Sequence, residues 1–385
     1  MRLGLLHPSW CNKPFFITTL LEEITLTQLQ QYGFKEPFTS EATALLTQAG
    51  HENYLIGRIT LEHKHSYRIR TEQGELLGTI SGKYAYNAFM RKDYPAIGDW
   101  VLVEQMPGEQ RCLIHQLLTR TSTFSRKMAG LEIDEQIVAT NVDLVFIVMS
   151  LNHDFNVRRL ERYVLAAWDS GASPVIILTK KDLCEDVTSF IEQAEQVAIG
   201  VPIYAISTLT GEGIEEIQNL LLPHKTAALM GSSGVGKSTL TNALVEEEKM
   251  TVQHIREDDS KGRHTTTHRE LFVLPKGGIL IDTPGMRELQ LWSTEGALES
   301  SFSDIEQLAD SCRFRDCSHK NEPGCAIQQA LSDGSLEQAR YASYVKLQRE
   351  IRYLEQKTNK QAQLAETRKW KQVSKQLKNK KKNRL

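Results

Sequence analysis

The sequence predicts three folded units in series: a small all-β barrel, an α/β domain on a mostly parallel sheet, and a mainly α-helical domain that carries cysteines. That order rests on three patterns. Short alternating segments separated by turn signals run from Tyr54 to about Leu118. Apolar strands alternate with helical spacing from about Val142 to Gly285. After Leu291 the spacing becomes helical and cysteines cluster. A chain of 385 residues is too long for one compact core, so several domains are expected in any case.

Composition narrows the class. With 40% hydrophobic and 24% charged residues the chain reads as globular, and no apolar run approaches the roughly 20 residues that cross a bilayer. The N-terminus, MRLGLLHPSWCNKPFF, lacks a basic start, a sustained apolar core and a small-residue cleavage site, so a cytoplasmic location is expected and no membrane contact. Six cysteines are too few for a disulfide scaffold; three of them lie between Cys312 and Cys325, which indicates metal rather than oxidation, and Cys11, Cys112 and Cys184 read as packing residues. The net charge of −2 conceals a basic end: from Gln356 onward eleven Lys or Arg face the single acid Glu366. Such a tail fits a solvated terminus or contact with nucleic acid equally well.

Taken in order, residues 1–48 carry mixed amphipathic signals, TTLLEEITLTQLQQYG among them, and form a lead-in of unreadable role. Residues 49–122 hold GRITLEHKHSYRIRT, ELLGTISGKYAYNAF and GDWVLVEQM, with turns at EQGE, SGK and PAIGD, which gives the barrel its strands. Residues 123–290 hold the strands VDLVFIVMS, PVIILTK, VPIYAIS, TAALMG and GGILIDTPG between helical stretches such as RRLERYVLAAWDSG and GEGIEEIQNLLL. Strands that are apolar throughout belong to a parallel sheet covered on both faces. Residues 291–354 end in the long helix SLEQARYASYVKLQREIRYLEQ, and 355–385 are the basic tail.

The sharpest motif is Gly231, Ser232, Ser233, Gly234, Val235, Gly236, Lys237 and Ser238, a phosphate-binding loop placed after a strand and before a helix that continues at Thr239. Its backbone N–H groups and the helix N-terminus are expected to cradle phosphates, with Lys237 on the β- and γ-phosphates and the Ser238 hydroxyl on Mg²⁺. The strand PVIIL ends in Thr179, Lys180, Lys181 and Asp182. A carboxylate there pairs with the adjacent N1–H and N2–H donors of guanine, which adenine lacks, and the Lys180 stem lies along the ring. Ala205 to Ser207 end the next strand and are expected to offer backbone donors to the guanine carbonyl. GTP and GDP are therefore the expected ligands.

Asp282 closes a further strand and is expected to hold Mg²⁺ through water, while the Gly285 N–H senses the γ-phosphate. Between loop and strand lies KGRHTTTH; one of Thr265, Thr266 and Thr267 is expected on Mg²⁺, Thr266 by slight preference. After Asp282-Thr-Pro-Gly285, where a water-orienting glutamine is common, stands Met286, so unaided turnover is expected to be slow. His264 and His268 are the candidates to orient water, with His264 preferred because it adjoins the threonines.

Motif order decides the architecture. The base-reading residues precede the phosphate loop, which precedes the switch segment and Asp282, whereas in the usual linear arrangement the phosphate loop comes first and the base-reading residues last. The central domain is read as a circularly permuted P-loop GTPase fold, a rearrangement tolerated when the original termini lie close together.

Permuted order, the GRHTTT segment and the flanking units resemble the RsgA (YjeQ) family of bacterial GTPases over roughly Tyr54 to Tyr353. The resemblance implies an OB-fold-like barrel that binds RNA, GTP hydrolysis stimulated by the small (30S) ribosomal subunit, contacts to its rRNA, late maturation of that particle, and a monomer. It also implies one structural Zn²⁺ per chain, held by Cys312, Cys317, His319 and Cys325; three thiolates and an imidazole complete a tetrahedron with no open position. Two other functions fit the motifs: a GTP-gated RNA-binding scaffold with minor hydrolysis, and an ATPase on RNA, against which Asp182 argues.

Overall fold

The computed structural model describes residues 28–48, 53–63, 66–127, 135–152, 154–246, 270–282, 298, 301–320 and 322–353. The first part of the lead-in, the KGRHTTTH segment and the basic tail lie outside these residues. Five strands build the barrel: β1 (Tyr54–His63), β2 (Ser66–Thr71), β3 (Gly74–Ile80), β4 (Trp100–Gln105) and β5 (Arg111–Leu117). β1 runs antiparallel to β2 and β4, β3 parallel to β5, and β4 antiparallel to β5, so the ring closes. Alternate residues point inward, and Ile59, Tyr67, Ile69, Val101, Val103 and Ile114 fill the interior. Gly57 and Gly78 make room for that filling: a Cβ on either would lie 2.4 Å from an Ile69 side-chain atom.

One expected strand stops early. ELLGTISGKYAYNAF is extended only to Ile80, and Gly82–Asn87 form helix α2, because the Ser81 hydroxyl accepts the Tyr84 N–H and caps it. The lead-in also has a firm tertiary role. Helix α1 (Phe38–Leu46) lies on the barrel, and Phe34 and Phe38 pack on fully buried Trp100 at ring separations of 4.8 and 6.0 Å.

In the α/β domain, β8 (Leu144–Ser150), β9 (Ser173–Thr179), β10 (Ile203–Ala205), β11 (Thr226–Met230) and β13 (Ile279–Asp282) pair in parallel, in the order β10-β9-β8-β11-β13. Both faces are covered, which is why these strands read as unbroken apolar runs: Val145, Ile147 and Met149 belong to one core layer, Phe146 and Val148 to the other. Helices α3 (Val157–Asp169), α4 (Val187–Glu195), α5 (Ile214–Asn219) and α6 (Lys237–Val245) complete the layers, and β6 (Thr123–Lys127) pairs with β7 (Glu135–Thr140) as a separate ribbon. β12 (Glu270–Val273) is antiparallel to β13 and touches β1 at Leu61 and Glu270, so one eleven-stranded sheet runs from the domain into the barrel.

At the C-terminal side, α7 (Ser303–Asp310), α8 (Ala326–Asp333) and helical residues 338–353 pack on α3. A buried ionic cluster joins them. The Glu161 carboxylate, 1% exposed, accepts from Arg158 Nη1 at 2.9 Å, Arg340 Nη1 at 3.3 Å and Ser343 Oγ at 2.7 Å, while Arg340 also reaches both Asp304 oxygens at 2.7 Å. Among the described residues no helix is long and apolar enough to cross a membrane.

Candidate nucleotide and metal sites

The parallel strands deliver the nucleotide residues to one end of the sheet. β11 ends at Met230 and the chain turns at Gly231, with φ +151°, where a Cβ would stand 2.2 Å from the Val148 carbonyl oxygen; only glycine passes so close to β8. Gly236, at φ +97°, caps α6, so Lys237 and Ser238 occupy the first turn of that helix, where unpaired backbone N–H groups carry positive potential. Lys237 Nζ spans the loop, 2.7 Å from the Gly231 carbonyl oxygen and 2.5 Å from that of Ser232. Phosphate oxygens would compete for the same ammonium.

Beside this loop, β9 ends in the base-reading residues. Thr179 is 1% exposed and its hydroxyl donates to the Val235 carbonyl at 2.6 Å, with the Met149 oxygen at 3.2 Å. Thr179 therefore acts by pinning the base-reading turn to the phosphate loop, a tie that spacing alone does not reveal. Lys180 takes a left-handed conformation, φ 62°, and the turn that follows places Lys181 2.5 Å from Glu212 and presents the Asp182 carboxylate to Ser207, whose hydroxyl donates at 2.5 Å.

Of the expected backbone donors from Ala205 to Ser207, two are already engaged. Ile206 N–H donates to the Leu178 carbonyl and Ser207 N–H to that of Glu212, because strand pairing and the turn at 207–212 use them first. Ser207 contributes through its side chain, orienting the Asp182 carboxylate expected to read guanine. Ser207→Ala removes a charge-assisted bond of about 1.5 kcal/mol, so GTP affinity is expected to fall about tenfold with circular dichroism unchanged; nucleotide titration checks this.

Asp282 ends β13, adjacent to β11, at the same end of the sheet. Thr266, Gly285 and His264, with Thr265, Thr267, His268 and Met286, lie outside the described residues.

The cysteine group converges as its spacing requires. The donor atoms of Cys312, Cys317, His319 and Cys325 all lie within 4.8 Å of one another, with His319 Nδ1 3.6 Å from the Sγ atoms of Cys312 and Cys325. Bond lengths of about 2.0 and 2.3 Å at a tetrahedral zinc give edges of roughly 3.5 to 3.8 Å, so the set fits such an ion. Gly324, at φ +75°, turns the chain so that Cys325 caps α8. Two supports were missed in the sequence. Gln328 Nε2 donates to the His319 carbonyl at 2.6 Å. The half-buried Glu322 carboxylate accepts from the Ser318 hydroxyl and the Lys320 amide, contacts that hold its pKa down at about 2.

Comparison with known proteins agrees with this geometry. A family model described as RsgA GTPase matches residues 117–292. The small ribosomal subunit biogenesis GTPase RsgA 1 of Oceanobacillus iheyensis is 48% identical over 325 residues, covering 84% of this chain and 93% of that protein. The protein of the same name from Listeria innocua is 45% identical over 349 residues, covering 91% and 96%. Among solved structures, YjeQ from Thermotoga maritima aligns with a TM-score of 0.57 at 26% identity, over 77% of this chain and 98% of its own. YloQ, described as a circularly permuted GTPase, aligns with a TM-score of 0.57 at 25% identity, over 79% and 97%.

Proposed function

This chain belongs to the RsgA GTPase family, and from that premise we propose that it hydrolyses GTP on the small (30S) ribosomal subunit, at a late step of that particle's maturation. The observation that carries the reading is the tie between Thr179 and Val235, which joins the guanine-reading turn to the phosphate loop as one site. Asp182 reads guanine, Lys180 lies along the base, Gly231 to Gly236 surround the phosphates, and Lys237 neutralises the β- and γ-oxygens. Ser238 and Thr266 would hold Mg²⁺, with Asp282 acting through water, and the ion would supply charge compensation at those oxygens. The Gly285 N–H senses the γ-phosphate, and His264 orients the attacking water.

The barrel, residues 49–122, and the cysteine-bearing domain, residues 291–354, supply the rRNA contacts. Cys312, Cys317, His319 and Cys325 hold one structural Zn²⁺. The protein works as a cytoplasmic monomer. Names of the relatives tie them to the small subunit, and their identity to this chain supports the same partner here.

The test is GTP turnover with and without purified small subunits. Turnover is expected to be slow alone and to rise by about 10³ or more on the particle, since partner-supplied water positioning and charge compensation reach that size. His264→Ala is expected to keep nucleotide and subunit binding and lose the stimulated rate. No stimulation of the parent protein defeats the reading; full stimulation of the variant removes His264 from it.

A further inference from the structure

The phosphate loop and Asp282 sit at the C-terminal ends of β11 and β13, which lie in order beside β8. The opposite ends of the same three strands meet the barrel and the N-terminal segment at one buried junction. At its centre is Arg58 of β1, 1% exposed. Its Nε lies 3.3 Å from the Gly98 carbonyl oxygen and its Nη2 3.1 Å from that of Asn141; Nη1 lies 3.0 Å from Thr226 Oγ1 and also donates to the Tyr32 carbonyl. The guanidinium stacks over Trp100, 5.3 Å from the ring centre. Burial draws its pKa down to about 10, against Asp143 and Asp99, so it stays charged at neutral pH.

Two of these contacts reach strand roots, at Asn141 just before β8 and Thr226 at the start of β11. Thr226 begins β11, and Asp143, immediately before β8, accepts both the Thr226 N–H at 2.8 Å and the Lys35 ammonium at 2.7 Å. Gly33, at φ +82°, is packed so closely that a Cβ there would lie 2.9 Å from Arg58 Nη1 and 3.1 Å from a methyl of Ile279, the first residue of β13. β11 and β13 are paired from Thr226 with Ile279 to Ala228 with Ile281, so their roots move together.

We propose that Arg58 is a positioning residue for GTP hydrolysis: it fastens the barrel and residues 32–35 to the roots of β8, β11 and β13, and so transmits engagement of the barrel to Lys237 and Asp282 at the far ends. This rests on the small-subunit reading above. The five residues of β11 span about 16 Å, a stiff paired strand between junction and phosphate loop. A misplacement of about 1 Å at reacting groups can cost about 10²-fold in rate, so a small change at the roots is enough.

The test compares full-length Arg58→Lys and Thr226→Val with the parent in three readouts: turnover without subunits, co-sedimentation with purified small subunits, and stimulated turnover. Lysine keeps the charge but one ammonium cannot span four acceptors; valine keeps the strand and removes only the hydroxyl, so it reads the junction even where Arg58→Lys fails to fold. Unstimulated turnover and subunit binding of Thr226→Val are expected within about twofold of the parent, and its stimulated rate to fall about tenfold, a part of the loss that misplacement allows. Stimulation within twofold of the parent in Thr226→Val overturns the proposal, as does a loss that tracks weaker subunit binding. A parent protein that small subunits do not stimulate defeats the small-subunit reading and this proposal with it; a stimulated parent with equally stimulated variants defeats this proposal alone.

Discussion

Asp182→Asn is expected to weaken GTP by about a hundredfold or more and to admit xanthosine triphosphate in its place. The carboxylate accepts two guanine donors, and a hydrogen bond to a charged group contributes about 1.5 to 3 kcal/mol, so losing one and opposing it with an N–H costs at least about 3 kcal/mol. Asparagine keeps one acceptor and offers one donor. Xanthine presents N1–H beside a C2 carbonyl, the complement of that pair. The Ser207 hydroxyl, 2.5 Å from Asp182 Oδ1, remains available to orient the amide. Titrating parent and variant with GTP, xanthosine triphosphate and ATP checks the exchange, and equal GTP affinity in the variant would remove Asp182 from base recognition.

Cys317→Ser, or chelation, is expected to unfold the cysteine-bearing region while the parallel sheet persists. Apparent zinc binding energies in small domains reach about 10 to 16 kcal/mol, more than packing of α7 and α8 can replace. An ion on these ligands would link Cys312, just after α7, to Cys325, the cap of α8. Without it His319, held at φ +55°, keeps only its local bonds. Elemental analysis of chelator-free protein should give one zinc per chain, and hydrogen exchange should show loss of protection confined to residues 301–353. Absence of stoichiometric zinc would overturn the assignment.

Those two sites were legible for a shared reason: their chemistry fixes residue type and spacing within a short segment. Gly231 must be glycine because β8 passes so close, and the cysteines must stand at turn spacing to meet one ion. What was illegible depends on partners far along the chain. Arg58 sits in GRITLE, which reads as an alternating strand with an exposed base, yet the N-terminal segment, Asn141 and Thr226 enclose it. Glu161 in RRLERY reads as the polar face of a surface helix, yet Arg340 and Ser343, almost two hundred positions on, enclose it. Thr179 stands in the TKKD string, and nothing in that spacing shows that its hydroxyl serves Val235. KYAYN alternates like a strand, and only the Ser81 cap turns it into helix.

The closure of the barrel onto the parallel sheet bears on behaviour in concentrated solution. A sheet edge is a template for pairing with another chain, and long flat edges lead to aggregation. Here the eleven-stranded sheet spends one end on itself, since β4 returns to β1, and β12 occupies the seam between the two parts. Among the described residues, the edge that remains in this sheet is β10, three residues from Ile203 to Ala205, too short to hold a second copy in register. Strand-to-strand polymerisation through the eleven-stranded sheet therefore has to wait until the ring opens, and heat-induced aggregation by that route should track melting of the barrel.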